Sequence, residues 1–167
     1  MRTTLQRREF LSKLWKIGFA SIAVAAAWTS WDFLQPTSPL GFGGKVKGGS
    51  PEQVPADGIL LVPAARAYLT RNSEDEIIAL WSRCPHLGCR VPWCESAGEF
   101  ECPCHGTSFN RIGEHRSGPA PRGMDQFEVI VEGDQVVIDT GVVISGPRLG
   151  TETIDEPPGP PCVTEGE

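Results

Sequence analysis

Residues 84–106 read CPHLGCRVPWCESAGEFECPCHG. Two short motifs close this stretch at either end, CPHLGC (84–89) and CPCHG (102–106), and together they hold four cysteines and two histidines. Fifteen residues separate His86 from Cys102. Each motif offers a thiol and an imidazole close together, as Cys84-x-His86 and Cys102-x-x-His105. Thiolates with imidazoles suit zinc or iron, whereas hard cations take oxygen ligands. Two Cys and two His make a zinc site, or hold a two-iron cluster in which one iron has two thiolates and the other two imidazoles. The zinc reading leaves Cys89 and Cys104 without a role. One further cysteine in each loop suggests a disulfide tying the loops together, which requires an oxidising compartment.

Outward from these loops the chain reads as short β runs. Ile59–Val62 is one, and Ile77–Trp81 (IIALW) is another, after the polar turn RNSEDE at 71–76. Glu99–Glu101 leads into the second motif. Phe127–Val131 and Gln135–Ile138 flank Glu132-Gly133-Asp134, a tight-turn signal for a hairpin, and Val142–Ile144 adds a last strand. Nothing beyond residue 35 has a long 3.6-residue period, and 19 glycines and 15 prolines favour turns. The class expected is all-β and antiparallel. His115, in GEHR, reads as part of a solvated polar turn.

The N-terminus differs in kind. QRREFLSK at 6–13 resembles a twin-arginine export signal, and the 15 residues from Ile17 to Trp31 carry no charge. A spanning helix needs ~20 apolar residues, which Leu11 to Leu34 supplies, with Trp15, Trp28 and Trp31 as interfacial aromatics. Residues 1–34 therefore read as signal and uncleaved single-pass membrane anchor, with the basic end in the cytoplasm. Residues 35–56 are rich in Gly and Pro and read as a flexible tether. Residues 57–147 form the folded domain, with the cluster loops at 84–121, and 148–167, with PPGPP at 157–161, an irregular tail. Five of the 15 basic residues precede position 17, against one of the 21 acidic ones, so the rest carries about −10. An acidic body excludes nucleic acid as a partner.

The paired motifs resemble the Rieske iron–sulfur proteins. CPHLGC and CPCHG, the Val91-Pro92-Trp93 segment and Gly118-Pro119-Ala120-Pro121 are similar to the Rieske subunit of quinol-oxidising cytochrome bc and b/f-type complexes. The resemblance implies a Rieske-type antiparallel β-sandwich with a cluster-binding subdomain, behind one transmembrane helix, and a [2Fe-2S] cluster. It assigns Cys84 and Cys102 to one iron, His86 and His105 to the other, and pairs Cys89 with Cys104. Gly118–Pro121 is similar to the family's proline loop, so Pro119 covers the cluster, and Leu87 resembles its shielding residue. His105 is then the quinol contact and proton acceptor, and His86 the second exposed ligand. The implied partners are quinol, a cytochrome b-type subunit and a c-type cytochrome, and the implied site is the outer face of the plasma membrane.

Two positions depart from the commonest family pattern. Thr107 keeps a hydroxyl for a bridging sulfide, but Phe109 lacks the phenol that donates to a ligand sulfur. A lost donor to sulfur lowers the potential, which suits menaquinol. Cys94 and Cys162 remain, and a second disulfide is expected between them. The rival reading is a Rieske small subunit of a molybdenum oxidoreductase such as arsenite oxidase; Val91-Pro92-Trp93 and Gly118–Pro121 favour the bc-type reading.

Overall fold

The computed structural model describes residues 6–35 and 43–162, which fall into two units, one ending at Thr37 and the other beginning at Ser38. In the first, Arg7–Leu34 form one 28-residue α-helix, α1. No proline interrupts it, and its alanine-rich middle favours helix. At 1.5 Å per residue it is ~42 Å long, against a hydrocarbon core of ~30 Å. It is long and apolar enough to cross a membrane, and none of its side chains is buried in the protein. Ser21 and Thr29 donate their hydroxyls to the carbonyls of Ile17 and Ala25, at 2.9 and 3.0 Å, so both are satisfied within the helix.

The second unit is built from β1 (Lys45–Gly49), β2 (Leu60–Val62), β3 (Ala67–Arg71), β4 (Ile77–Trp81), β5 (Trp93–Cys94), β6 (Glu99–Glu101), β7 (Ser108–Phe109), β8 (His115–Ser117), β9 (Gln126–Glu132) and β10 (Gln135–Ile144). They form two antiparallel sheets, of order β1-β10-β9-β4-β3-β2 and β5-β6-β7-β8. Successive strand residues point to opposite faces. Leu69 and Ala79, paired across β3 and β4, join Val46, Phe127, Val136 and Ile138 in one core. Their neighbours Tyr68 and Leu80 turn the other way, onto Val91, Phe100, Phe109 and Met124. Cys84 and Cys102 belong to this second core, so the two cysteine-bearing loops are rooted in packed side chains.

Three expectations are corrected. The tether does not run through 35–56: Lys45–Gly49 are β1, paired with β10 from Lys45↔Asp139 to Gly49↔Val136, and Pro51–Gln53 form a 3₁₀ turn. Val46 faces the core while Lys45 and Lys47 face out, an alternation with edge lysines that discourage further pairing. The folded unit therefore begins before residue 57; residues 36–42 of the expected tether lie outside the described residues. Second, Val142–Ile144 is not a separate strand. It ends β10, which pairs again with Phe127 and Gln126 after a bulge between Asp139 and Val143. Third, β3, β5, β7 and β8 went unread in the sequence.

The tail from 149 to 162 has no helix or strand, but it is fastened across the small sheet. Glu114 accepts from the Thr153 N–H and hydroxyl, at 3.0 and 2.7 Å, and Arg111 grips Glu156 through Nε and Nη2, at 3.0 and 2.9 Å. Gly159 donates to the Ala97 carbonyl at 2.9 Å. Cys162 is bonded to Cys94.

Candidate metal centre

The two motifs fold into loops with the same backbone pattern. In the first, Cys84 N donates to Cys89 O (2.8 Å) and Gly88 N to Cys84 O (2.9 Å). In the second, Cys102 N donates to Thr107 O (2.8 Å) and Gly106 N to Cys102 O (3.1 Å). Each turn closes on a glycine with positive φ, Gly88 at 84° and Gly106 at 68°, a conformation that side-chain-bearing residues disfavour. The loops are joined by the Cys89–Cys104 disulfide.

This arrangement brings the expected ligands together. The Cys84 and Cys102 thiols are free, buried and in contact with one another. Burial pushes the Cys84 thiol up, against the N–H groups of His86 and Leu87, while the neighbouring Cys102 sulfur adds to the rise. The His86 and His105 rings meet edge to face, 4.9 Å between centroids. His105 is exposed and His86 half-buried, with Leu87 beside them 70% exposed.

Thr107 closes the site from behind. Its Oγ1 is buried and has no hydrogen-bond partner in the protein. Gly118, at φ 90°, lies against the Thr107 backbone, which brings the 118–121 loop over the second motif. Ala120 is buried there and Pro119 exposed. His115 lies in β8 rather than in a turn; it is half-buried, and its Nε2–H donates to the Gly118 carbonyl at 3.0 Å in an exposed hydrogen bond. Phe109 is fully buried, paired with Phe100 across β6 and β7, with the His115 ring 6.1 Å away.

Two polar features escaped the sequence reading. Beside the first loop, Arg122 donates from Nε and Nη2 to both Asp125 oxygens, at 2.9 and 2.8 Å. Burial pushes the Asp125 carboxyl up, but the Arg122 guanidinium and the Gly146 N–H outweigh it and hold the group below its usual value. Arg-x-x-Asp spacing was the available signal. Behind the second loop, the small sheet and the tail enclose a cavity of about 820 Å³ whose wall includes Cys102, Thr107, Glu99 and Arg116. Burial pushes the Glu99 carboxyl up, with Arg116 Nε 3.7 Å away. That pair is formed only by the closing of the tail and the sheet pairing, which no local sequence pattern marks.

The residues present fit an iron–sulfur cluster. Two buried thiols and two adjacent imidazoles, with no carboxylate among them, are a donor set for zinc or iron rather than a hard cation. The Thr107 hydroxyl is a buried donor whose partner is absent from the protein, as a sulfide-bearing group would require.

Residues 44–128 match the family described as Rieske [2Fe-2S] domain. The chain is 34% identical over 86 residues to a cytochrome b6-f complex iron-sulfur subunit of Chlorobaculum thiosulfatiphilum, covering 46% of this chain and about half (48%) of that protein. It is 32% identical over 162 residues to cytochrome b6-f complex iron-sulfur subunit 1 of Synechocystis sp. PCC 6803, covering 86% of this chain and 89% of that one. Among solved structures, the plasma membrane Rieske protein PetC3 of Synechocystis PCC 6803 is 30% identical, with 56% of this chain and 97% of that one covered and a TM-score of 0.44. With its paired loops, its matched domain and a full-length relative, the chain belongs to the Rieske [2Fe-2S] family.

Proposed function

We propose that the chain is the Rieske electron-transfer subunit of a quinol-oxidising cytochrome b6-f or bc-type complex. The observation that carries this reading is the convergence of two free buried thiols and two touching imidazoles on cross-linked loops of one design. Cys84 and Cys102 hold one iron, and His86 and His105 the other. When bound, the cluster supplies one-electron redox chemistry at a potential of ~−150 to +300 mV, raised by imidazole ligation.

The chain's own residues do the rest. His105, the more exposed imidazole, meets quinol and takes its proton on the ring nitrogen that faces solvent. Leu87 covers the tip and limits water. Thr107, whose buried hydroxyl has no protein partner, would donate to a sulfide of the bound cluster. The lack of a phenol at Phe109 places the potential in the lower part of the quinol-oxidising range and suits menaquinol. The second electron of quinol goes to a cytochrome b-type subunit, and the first passes to a c-type cytochrome by movement of the head. The helix α1 anchors the chain with its basic end in the cytoplasm and the head on the outer face of the plasma membrane, reached by a twin-arginine route.

The test is an EPR-monitored redox titration of the full-length protein in detergent. A rhombic two-iron signal with low average g, whose potential falls as pH rises, supports the reading. A zinc-containing, EPR-silent protein overturns it.

A further inference from the structure

The first cysteine loop has a side chain laid across it. Arg83 stands one residue before Cys84 and pairs with Arg90 at the loop's base as an isolated antiparallel bridge. Although Arg83 is exposed, its guanidinium is held on two sides. On one, Cζ lies 5.0 Å from the centroid of the Trp81 ring. On the other is Gly88: a Cβ placed on that glycine would lie 3.0 Å from Arg83 Nε, 3.3 Å from Nη2 and 3.5 Å from Cζ. Atoms along the whole group are at similar distances, so the guanidinium lies broadside on the open face of the turn. A planar, delocalised cation suits such a stacked position. Gly88 is thus glycine for two reasons, its φ of 84° and the guanidinium that fills the place of a side chain.

The stack stands on the large sheet. Trp81 ends β4, its ring lies 5.3 Å from the Phe127 ring, and it packs against the first core. Its N–H donates to the Asp125 carbonyl at 2.8 Å. Contacts therefore run from Phe127 through Trp81 and Arg83 to Gly88, whose N–H closes the turn on the Cys84 carbonyl. His86 and Leu87 lie within the turn so closed.

The same group sets the local charge. Arg83, Arg122 and Asp125 line one cavity of about 300 Å³ together with Cys84, His86 and Leu87. Arg122 holds both Asp125 oxygens, and the Arg83 charge acts on the same carboxyl. Two guanidiniums facing one carboxylate leave this wall of the site net positive, in a chain whose formal charge is −6. A positive charge beside a redox centre favours the form that has gained an electron. The lack of a phenol at Phe109 acts in the opposite sense.

We propose that Arg83 is a positioning residue of the metal site: clamped between Trp81 and Gly88, its guanidinium holds the turn that carries His86 and keeps a positive charge beside it, which raises the reduction potential. The proposal rests on the reading of Cys84 and His86 as cluster ligands.

The test compares Arg83→Gln and Arg83→Lys with the parent, each as full-length protein in detergent. Lysine keeps the charge and its attraction to the indole face; glutamine keeps a planar polar end without the charge. Direct voltammetry gives the potential at ionic strengths of 0.01 and 0.15 M, where the Debye length is ~30 and ~8 Å. Hydrogen exchange read by mass spectrometry over residues 84–90 follows the turn in the protein as purified, whatever metal it holds. Arg83→Gln should lower the potential, more at 0.01 M than at 0.15 M, and should speed exchange roughly threefold. Arg83→Lys should stay close to the parent in both. An unchanged potential or unchanged exchange in Arg83→Gln overturns the proposal. So does a difference that salt leaves the same, or a lysine variant displaced as far as the glutamine one. If Arg83→Gln holds no cluster, Arg83→Lys decides by the same two readings. Absence of any two-iron signal in the parent sinks the functional reading instead, and exchange still judges the clamp.

Discussion

Gly118 rests directly on the backbone of Thr107: a Cβ placed on it would lie 2.5 Å from Thr107 Cα and 2.9 Å from Thr107 Oγ1. Backbone cannot give way as a side-chain tip can. Gly118→Ala must therefore lift the 118–121 loop, besides straining a residue at φ 90°. The expected cost is about 2 kcal/mol, read as a lower melting temperature. Hydrogen exchange should rise at 117–121, and visible absorbance of the bound cluster should decay faster on warming. A variant as stable and as slow to lose its colour as the parent would refute the covering role of the 118–121 loop.

The Thr107 hydroxyl distinguishes a cluster-bearing site from a merely packed one. Thr107→Val keeps the shape and removes a buried donor that has no protein partner. In the metal-free protein it should be within about 1 kcal/mol of neutral, or stabilising. In the loaded protein it should lower the reduction potential, since a donor to sulfur favours the reduced state. Phe109→Tyr should move the potential the other way. Direct voltammetry of the three proteins settles both signs.

The Cys94–Cys162 disulfide closes a loop with a sequence separation of 68. In the chain-entropy account such a crosslink is worth about 4 kcal/mol. Cys94→Ala/Cys162→Ala should lower thermal stability by up to that amount and open the 149–162 tail to limited proteolysis. The EPR signal should survive, because neither cysteine belongs to the ligand set. Loss of the signal in a folded variant would show that the tail helps hold the site.

The Arg122–Asp125 pair sets an acid limit. The Asp125 carboxyl is held below its ordinary value of 3.8 in the folded protein. Its contribution is therefore complete above about pH 4 and is lost as pH falls through the lower, folded value. The Arg122 side chain is 38% exposed, so solvent screening limits the pair to about 1 kcal/mol. Acid denaturation followed by far-UV CD should shift to higher pH in Asp125→Asn. Salt should narrow the difference between the two proteins.

The ligand loops were legible because their chemistry is local: each thiol and its imidazole stand within three residues. The hairpin at 132–134 was legible for the same reason. Strand β3 was not, because Tyr68 and Leu69 face two different cores and AYLTR shows no alternation. Strand β1 was hidden by Gly48 and Gly49, read as flexibility although Gly48 packs against Leu69 and Ile138. A fragment cut at residue 50 would consequently lose an edge strand, so the full chain is the proper sample. The hydrogen bond of His115 went unread because its partner, the Gly118 carbonyl, belongs to the loop that follows β8.

The two crosslinks also decide how the head bears tension. A pull arriving along the chain from the N-terminal side meets first the hydrogen bonds of Gly43 and Gly44 to Thr140, and then the ladder of β1 with β10. Strand β10 lies within the covalent ring closed by Cys94 and Cys162, which also encloses Cys102 and His105. The Cys89–Cys104 bond rivets the first loop to that ring. Load can peel away the edge of the large sheet, but the two metal-binding loops stay covalently fastened to one another, so repeated tugging wears on the lip of the fold and spares the clasp at its tip.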